Sequence, residues 1–166
     1  MNYLKREAEL RNAISKACKG KPKEEWEKES GVVLDAIRKI MDLITEKRMN
    51  AIEKMVYMDA FGEEERTMES EDPDPTWELI KEQMNIINRM CSKYGTEPMF
   101  PEAMGETDPG KLENAYRTYE RQGREVDLAT RPYMQEAMKT GDFTEYDRKY
   151  DEAIEEAESL AGDGSR

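Results

Sequence analysis

Carboxylates are the only abundant side chains in this sequence whose chemistry suits catalysis or ligand binding. The chain has 166 residues, with 38 Asp and Glu against 26 Lys and Arg, a net charge of −12 and no histidine. Without histidine there is no Ser-His-Asp triad, no Cys-His pair and no imidazole ligand for a metal ion. The net acidity also argues against general binding to nucleic-acid phosphates.

One spacing among these acids matches half of a magnesium site. Glu24 and Glu27 form an E-x-x-E pair, and all-helical nucleotide pyrophosphohydrolases hold Mg²⁺ between two such motifs on facing helices. The matching E-x-x-D is missing from the long helix that follows, where Met49 stands at that spacing after Glu46. Acids are also common at helix starts because the helix dipole favours them there. A carboxylate-dependent Mg²⁺ hydrolase is therefore the third of our hypotheses.

A run of acids in the middle of the chain could imitate a nucleic acid. Residues 63–75, EEERTMESEDPDP, show no helical periodicity and contain Glu63, Glu64, Glu65, Glu69, Glu71, Asp72 and Asp74. Such carboxylates can occupy the Lys and Arg sites that a DNA- or RNA-binding enzyme uses for phosphates. The second hypothesis is thus an acidic inhibitor of the anti-defence type, although a solvated, mobile linker is the commoner meaning of this composition.

A second acidic cluster lies on the last helix that the sequence predicts, opposite an aromatic stripe. Its members that could bind a partner are Asp151, Glu152, Glu155 and Glu156. Like charges four residues apart cost only a few tenths of a kcal/mol, so a plain solvated face is the commoner explanation of the cluster. If it docks a basic partner, the chain's own first helix is a candidate, since residues 1–23 carry seven basic side chains against two acidic ones.

Helical periodicity covers most of the chain, and no alternating strand pattern is found. The pattern predicts an all-α fold, an elongated antiparallel bundle of about five helices, at about 2–18, 23–60, 75–94, 109–139 and 142–161. We expect one helical domain over 1–161, with an acidic mobile loop at 62–75, a loop at 95–108 and a frayed tail at 162–166. Pro132 is expected to kink the fourth helix or to begin a short separate one.

The helix at 23–60 is unusually long for a globular protein, which favours an elongated bundle or a dimer. Its predicted buried face comprises Trp26, Val33, Ile37, Ile40, Ile44, Ala51, Met55 and Met58, widened by Leu34, Met41, Ile52 and Val56.

The tightest apolar seam in the sequence belongs to the third helix. Trp77, Ile80, Met84, Ile87, Cys91 and Tyr94 repeat at 3-4-3-4-3 spacing, as in coiled coils. We interpret this seam as a surface through which two copies could associate. The two cysteines, Cys18 and Cys91, are too few for a disulfide scaffold and are expected to be buried reduced thiols.

The end of the third helix and the loop after it resemble a known protein family. Residues 85–100, NIINRMCSKYGTEPMF, are similar to an N-x-L-N-R-L-C-x-x-Y-G-x-x-P-I-F segment, with Ile87, Met90 and Met99 at the Leu, Leu and Ile positions. That segment occurs in short, helical, uncharacterised bacterial proteins, mostly from gut Firmicutes. The resemblance implies a bacterial or prophage source and a helical domain, and it assigns no catalytic residue.

We therefore expect a non-enzymatic, protein-binding helical module of bacterial or phage origin, able to self-associate and working in the cytoplasm. No cofactor, metal ion, membrane or direct nucleic-acid contact is expected, and the partner is a protein or a second copy of the chain.

Overall fold

Five α-helices make up most of the described structure, which is a computed structural model covering residues 1–61 and 75–163. They are α1 (Tyr3–Ala17), α2 (Lys23–Phe61), α3 (Pro75–Lys93), α4 (Pro109–Thr140) and α5 (Thr144–Asp163), with one 3₁₀ turn at Pro101–Ala103. Within these two ranges no strand occurs. The predicted all-α fold and the unusually long second helix are confirmed.

Side-chain caps and special backbone residues set several of the helix boundaries. The Asn2 side chain accepts a hydrogen bond from the backbone N–H of Lys5, which caps the start of α1. Asp108 caps α4 in the same way, and Pro109 follows as its first residue. Gly141 ends α4 with a φ of 77°, a conformation that only glycine adopts without strain.

The expectation of a separate short helix at Pro132 is wrong, because α4 runs unbroken through this residue to Thr140. Pro132 cannot donate the usual hydrogen bond to the carbonyl of Leu128. Both residues are exposed, so water can bond to that carbonyl. The missing hydrogen bond therefore costs less free energy of folding than it would in the core.

The helices form two antiparallel pairs. In the first pair, the start of α2 lies beside the end of α3, where Glu29 accepts hydrogen bonds from Lys93 and from the Tyr94 hydroxyl. Further along, the Lys47 ammonium lies 4.6 Å from the centre of the Trp77 ring at the start of α3. The second pair consists of α4 and α5, which Gly141 connects.

Helix α1 joins the two pairs through separate apolar clusters. It contributes Tyr3, Leu10 and Ile14 to the main core, together with residues of α2, α3 and the first part of α4 and the buried ring of Phe100. Leu4, on another side of α1, lies in a smaller cluster with Val126 of α4 and with Ala153, Ile154 and Ala157 of α5. Because one helix serves both clusters, its loss would expose both pairs.

Two asparagines of α3 hold the loop at 95–108 against the core. Asn88 bonds both the N–H and the carbonyl of Phe100, at 2.9 and 2.8 Å, and Asn85 donates to the carbonyl of Ala103 at 2.8 Å. Phe100 and Met99 are consequently buried. Much of the segment that suggested a family resemblance therefore has a structural role here.

The predicted buried face of α2 is right only in part, and its described buried residues end at Ile44. Val33, Ile37, Ile40 and Ile44 are buried, as expected. A second set that was assigned to the same face is exposed: Trp26, Leu34, Met41, Ala51, Ile52, Met55 and Val56. The side chain of Met58 lies outside the described part of the chain. For Ala51, Ile52, Met55 and Val56 the physical reason is the position of α3, whose first turn lies beside Lys47, so that α2 continues past the start of its neighbour. Leu34 and Met41 each follow a buried residue by one position and therefore flank the buried row. Trp26 lies at the start of α2, where its indole N–H donates to Ser15 of α1.

Candidate functional site

Several apolar residues are exposed on the last part of α2, residues 48–59, which we call the α2 extension. At 1.5 Å per residue it is about 18 Å long. Met49, Ile52, Met55 and Val56 are exposed by 51%, 54%, 67% and 63%. Isolated exposed apolar residues are ordinary, but a contiguous group on one helix surface is typical of contact sites.

Charged residues lie at both ends of this apolar group, on one helix face. Arg48, Ile52, Met55 and Asp59 follow each other at 4-3-4 spacing, so they form a single stripe, and all four are exposed. Met49 and Val56 lie beside the stripe. The stripe therefore offers an apolar centre between one cation and one anion.

The cationic end of the stripe is held by the body of the protein. Arg48 lies 3.2 Å from a carboxylate oxygen of Glu120 on α4. Tyr116, one turn before Glu120, is buried, and this burial, with the nearby negative charge of Glu120, raises its pKa to about 12. The start of the α2 extension is thus fixed by α4, while its apolar residues stay exposed.

Sequence reasoning missed this stripe because it assigned Ile52, Met55 and Val56 to the buried face of α2. The signal was present in the spacing: Ile52 and Met55 continue in register with Arg48 and Asp59, whereas the buried residues end at Ile44. Ile44 is buried and Ile52 is exposed because the first turn of α3 lies beside Lys47, between them. The sequence does not show how two helices align.

The predicted seam of α3 is an internal contact of one chain. Ile80, Met84, Ile87 and Cys91 are completely buried, and Trp77 and Tyr94 pack against the same core. A second copy cannot reach these side chains without opening the fold, so we correct the interpretation of the seam as a self-association surface. Cys18 and Cys91 are buried and free, as predicted.

The acids of α5 lie beside the basic first helix. Glu155 is 3.2 Å from the Lys5 ammonium, and the Asn2 side chain donates to the carbonyl of Ile154 at 2.7 Å. Glu152 pairs with Arg148 of its own helix at 2.7 Å. Asp151 and Glu156 are exposed. The cluster is therefore partly occupied by the chain's own cations, and α1 is one of its neighbours.

The other acidic candidates give no assembled site in the described ranges. The central acids at positions 63–74 lie outside the described residues. In residues 1–61 and 75–163 no group of three or more Asp, Glu, Cys or His is arranged to hold a metal ion. Glu24 is exposed, and Glu27 lies 3.6 Å from the Lys23 ammonium. None of the described helices is long and apolar enough to cross a membrane.

A buried carboxylate that the sequence analysis overlooked has its partners within the chain. Glu7 accepts hydrogen bonds from the Tyr119 hydroxyl at 2.9 Å and from Arg11 at 2.6 Å. Burial and the adjacent Glu7 raise the pKa of Tyr119, which keeps the hydroxyl protonated as a donor. Glu7 falls on the apolar stripe of α1, four residues after Tyr3, and this position was the available signal. Its role is to join α1 to α4.

Gln122 is a second buried polar residue with a structural role. It is fully buried, accepts a hydrogen bond from the backbone N–H of Tyr3 at 3.0 Å and donates to the carbonyl of Met1 at 2.8 Å. These bonds satisfy backbone groups at the start of α1, which have no partner within the helix.

Comparison of this chain with family models, curated proteins and solved structures finds no match.

Proposed function

We propose that this chain is a non-enzymatic, protein-binding helical module that acts in the cytoplasm of a bacterium or phage-infected cell. The observation that supports the proposal is the exposed apolar group on the α2 extension. Covering such a surface with an apolar helix face releases about 25 cal/mol for each Å² removed from water. The extension is already helical, so part of the ordering cost of binding is met before contact.

Other features of the described chain agree with a binding role. The buried carboxylate of Glu7 bonds to Arg11 and Tyr119, and no three described acids are arranged to hold a metal ion. The chemistry available on the described surface is therefore apolar contact and charge pairing, which is the chemistry of protein recognition.

Site-specific photo-cross-linking tests this proposal. The photoreactive residue p-benzoylphenylalanine replaces Ile52 in one variant and Leu128 of α4 in another, and each is irradiated in cells that naturally make the chain. The two positions are matched, since both are aliphatic, helical and about half exposed, at 54% and 51%.

We expect a protein adduct from position 52 that is absent at position 128. The mass of the adduct identifies the partner as a second copy or another protein. Equal adducts at both positions, or none at position 52, would overturn the proposal.

A further inference from the structure

We infer that the partner of the α2 extension is a second copy of this chain, bound antiparallel so that Arg48 of each copy faces Asp59 of the other. This inference rests on the proposed function and adds the identity and direction of the partner. Its basis is the self-complementary order of the exposed stripe: cation, two apolar residues, anion.

The positions of the four stripe residues fit a two-fold axis. The midpoint between Ile52 and Met55 is also the midpoint between Arg48 and Asp59. A two-fold axis through that point places Ile52 of each copy opposite Met55 of the other copy, which gives two equivalent apolar contacts. The same axis places each Arg48 opposite an Asp59, so that both ends of the contact carry an ion pair.

The residues beside the stripe agree with this arrangement. In antiparallel helix pairs the side chains on one flank meet the same flank of the partner helix. On one flank these are Met49 and Val56, which are exposed by 51% and 63% and apolar. An antiparallel pair would therefore cover them as well.

A parallel pair is disfavoured by the same charges. Equal residues face each other in a parallel two-stranded coiled coil, so Arg48 would meet Arg48 and Asp59 would meet Asp59. Like charges in contact destabilise a helix pair, whereas the antiparallel arrangement replaces both repulsions by attractions.

The contact is short, and this sets its strength. An overlap of about 18 Å between two single helices is smaller than a standard protein interface. We therefore expect a dimer that dissociates in the micromolar range and that is sensitive to each ion pair, since every stripe contact occurs twice.

Charge reversal tests the pairing at two exposed positions, Arg48 and Asp59. Arg48→Glu also replaces the ion pair with Glu120 by a like-charge contact, so it is compared in the Glu120→Gln background as well. Sedimentation equilibrium is measured for the full chain, Arg48→Glu, Asp59→Arg, the double variant and an equimolar mixture of the two single variants. Each single change creates two repulsive contacts and should weaken the dimer at least about tenfold. The double variant restores both pairs with reversed sign and should associate like the native chain.

The mixture gives the sharpest result. In an antiparallel heterodimer of the two single variants, the two substituted side chains face each other at one end as an ion pair of reversed sign. At the other end the native Arg48 of one chain faces the native Asp59 of the other. The variants should therefore associate with each other at concentrations at which each alone is mainly monomeric.

Two controls isolate the cause. Glu120→Gln removes the intrachain competitor for Arg48 and should not weaken dimerisation, and Arg124→Glu, a charge reversal on α4, should leave it unchanged.

A native chain that stays monomeric at every concentration would overturn the inference, and so would a mixture that does not associate. Photo-cross-linking keeps these failures apart from failure of the proposed function: an adduct of position 52 with a different protein supports a binding module and excludes self-pairing.

Discussion

Asn88 holds the backbone of Phe100 from both sides, donating to its carbonyl at 2.8 Å and accepting from its N–H at 2.9 Å. The bonds keep the Phe100 ring in the core, where it stacks on Tyr3 with ring centres 5.5 Å apart. One polar side chain of α3 thereby connects a loop, the core and the start of α1.

Replacing Asn88 by Ala should lower the free energy of unfolding by about 2–4 kcal/mol, because two buried backbone groups of Phe100 lose their partner. Asn85→Ala is the comparison, since Asn85 donates one bond to the same loop, to Ala103, and accepts one from Asn88 at 3.2 Å, and its loss should cost less, about 1 kcal/mol. Urea denaturation followed by circular dichroism measures both. Equal costs for the two variants would contradict the role that we give to Asn88.

Gln122→Ala should lower the free energy of unfolding by about 2–4 kcal/mol and loosen the start of α1, since the backbone groups of Met1 and Tyr3 lose their partner. Hydrogen exchange should show faster exchange at the N–H of Tyr3 than in the native chain. Gln135→Ala is a control because Gln135 is exposed on the same helix, and its stability should change by less than about 0.5 kcal/mol. Unchanged exchange in Gln122→Ala would show that the bonds do not matter.

The stability of the fold should decrease at alkaline pH. Burial and the hydrogen bond to Glu29 raise the pKa of Tyr94 to about 12, from an ordinary value of 10.0. The folded state therefore holds the tyrosine proton more tightly than the unfolded state does. Its contribution to stability is complete below about pH 10 and is lost as the pH rises to about 12.

Urea denaturation at several pH values between about 9 and 12 checks this expectation. Tyr94→Phe cannot titrate, so its stability should decrease less steeply over the same range than that of the native chain. Parallel pH profiles for the two proteins would contradict a raised pKa at Tyr94.

The double change Ile52→Glu with Met55→Glu should abolish self-association and leave folding nearly unaffected. Both side chains are exposed, so the free energy of unfolding of the monomer should change by less than about 1 kcal/mol in total. Light scattering across a concentration range measures the association. The matched control is Leu128→Glu with Met138→Glu on α4, where two exposed apolar residues receive the same charges. Loss of association in the control as well would indicate a general effect of added charge.

Much of the fold could be predicted because helix boundaries are local features. Asp108-Pro109 and Gly141 act through the backbone of their own turn, and both were readable from the sequence. The seam from Ile80 to Cys91 was also evident, since its 3-4 spacing is local. The seam was interpreted as a contact between two copies, although it packs in the core of one chain. Periodicity marks a face as apolar without identifying its neighbour.

The candidate site depends on long-range alignment and was beyond the sequence pattern. Ile44 is buried and Ile52 is exposed, yet both are isoleucines on the same helix. The difference arises from the position of Trp77 beside Lys47, which marks how far α3 follows α2. Glu7 was missed for a related reason: a buried acid needs partners on other helices, and Tyr119 is 112 residues away.

Concentration-dependent hydrogen exchange tests most directly whether the α2 extension is a contact surface. Exchange at residues 49–57 is measured by mass spectrometry on dilute and concentrated samples of the full chain. We expect exchange in this segment to slow as the concentration rises, because pairing stabilises the helix at its exposed end, while exchange in α4 and α5 stays constant. Exchange at 49–57 that is the same at every concentration would contradict self-association through the α2 extension.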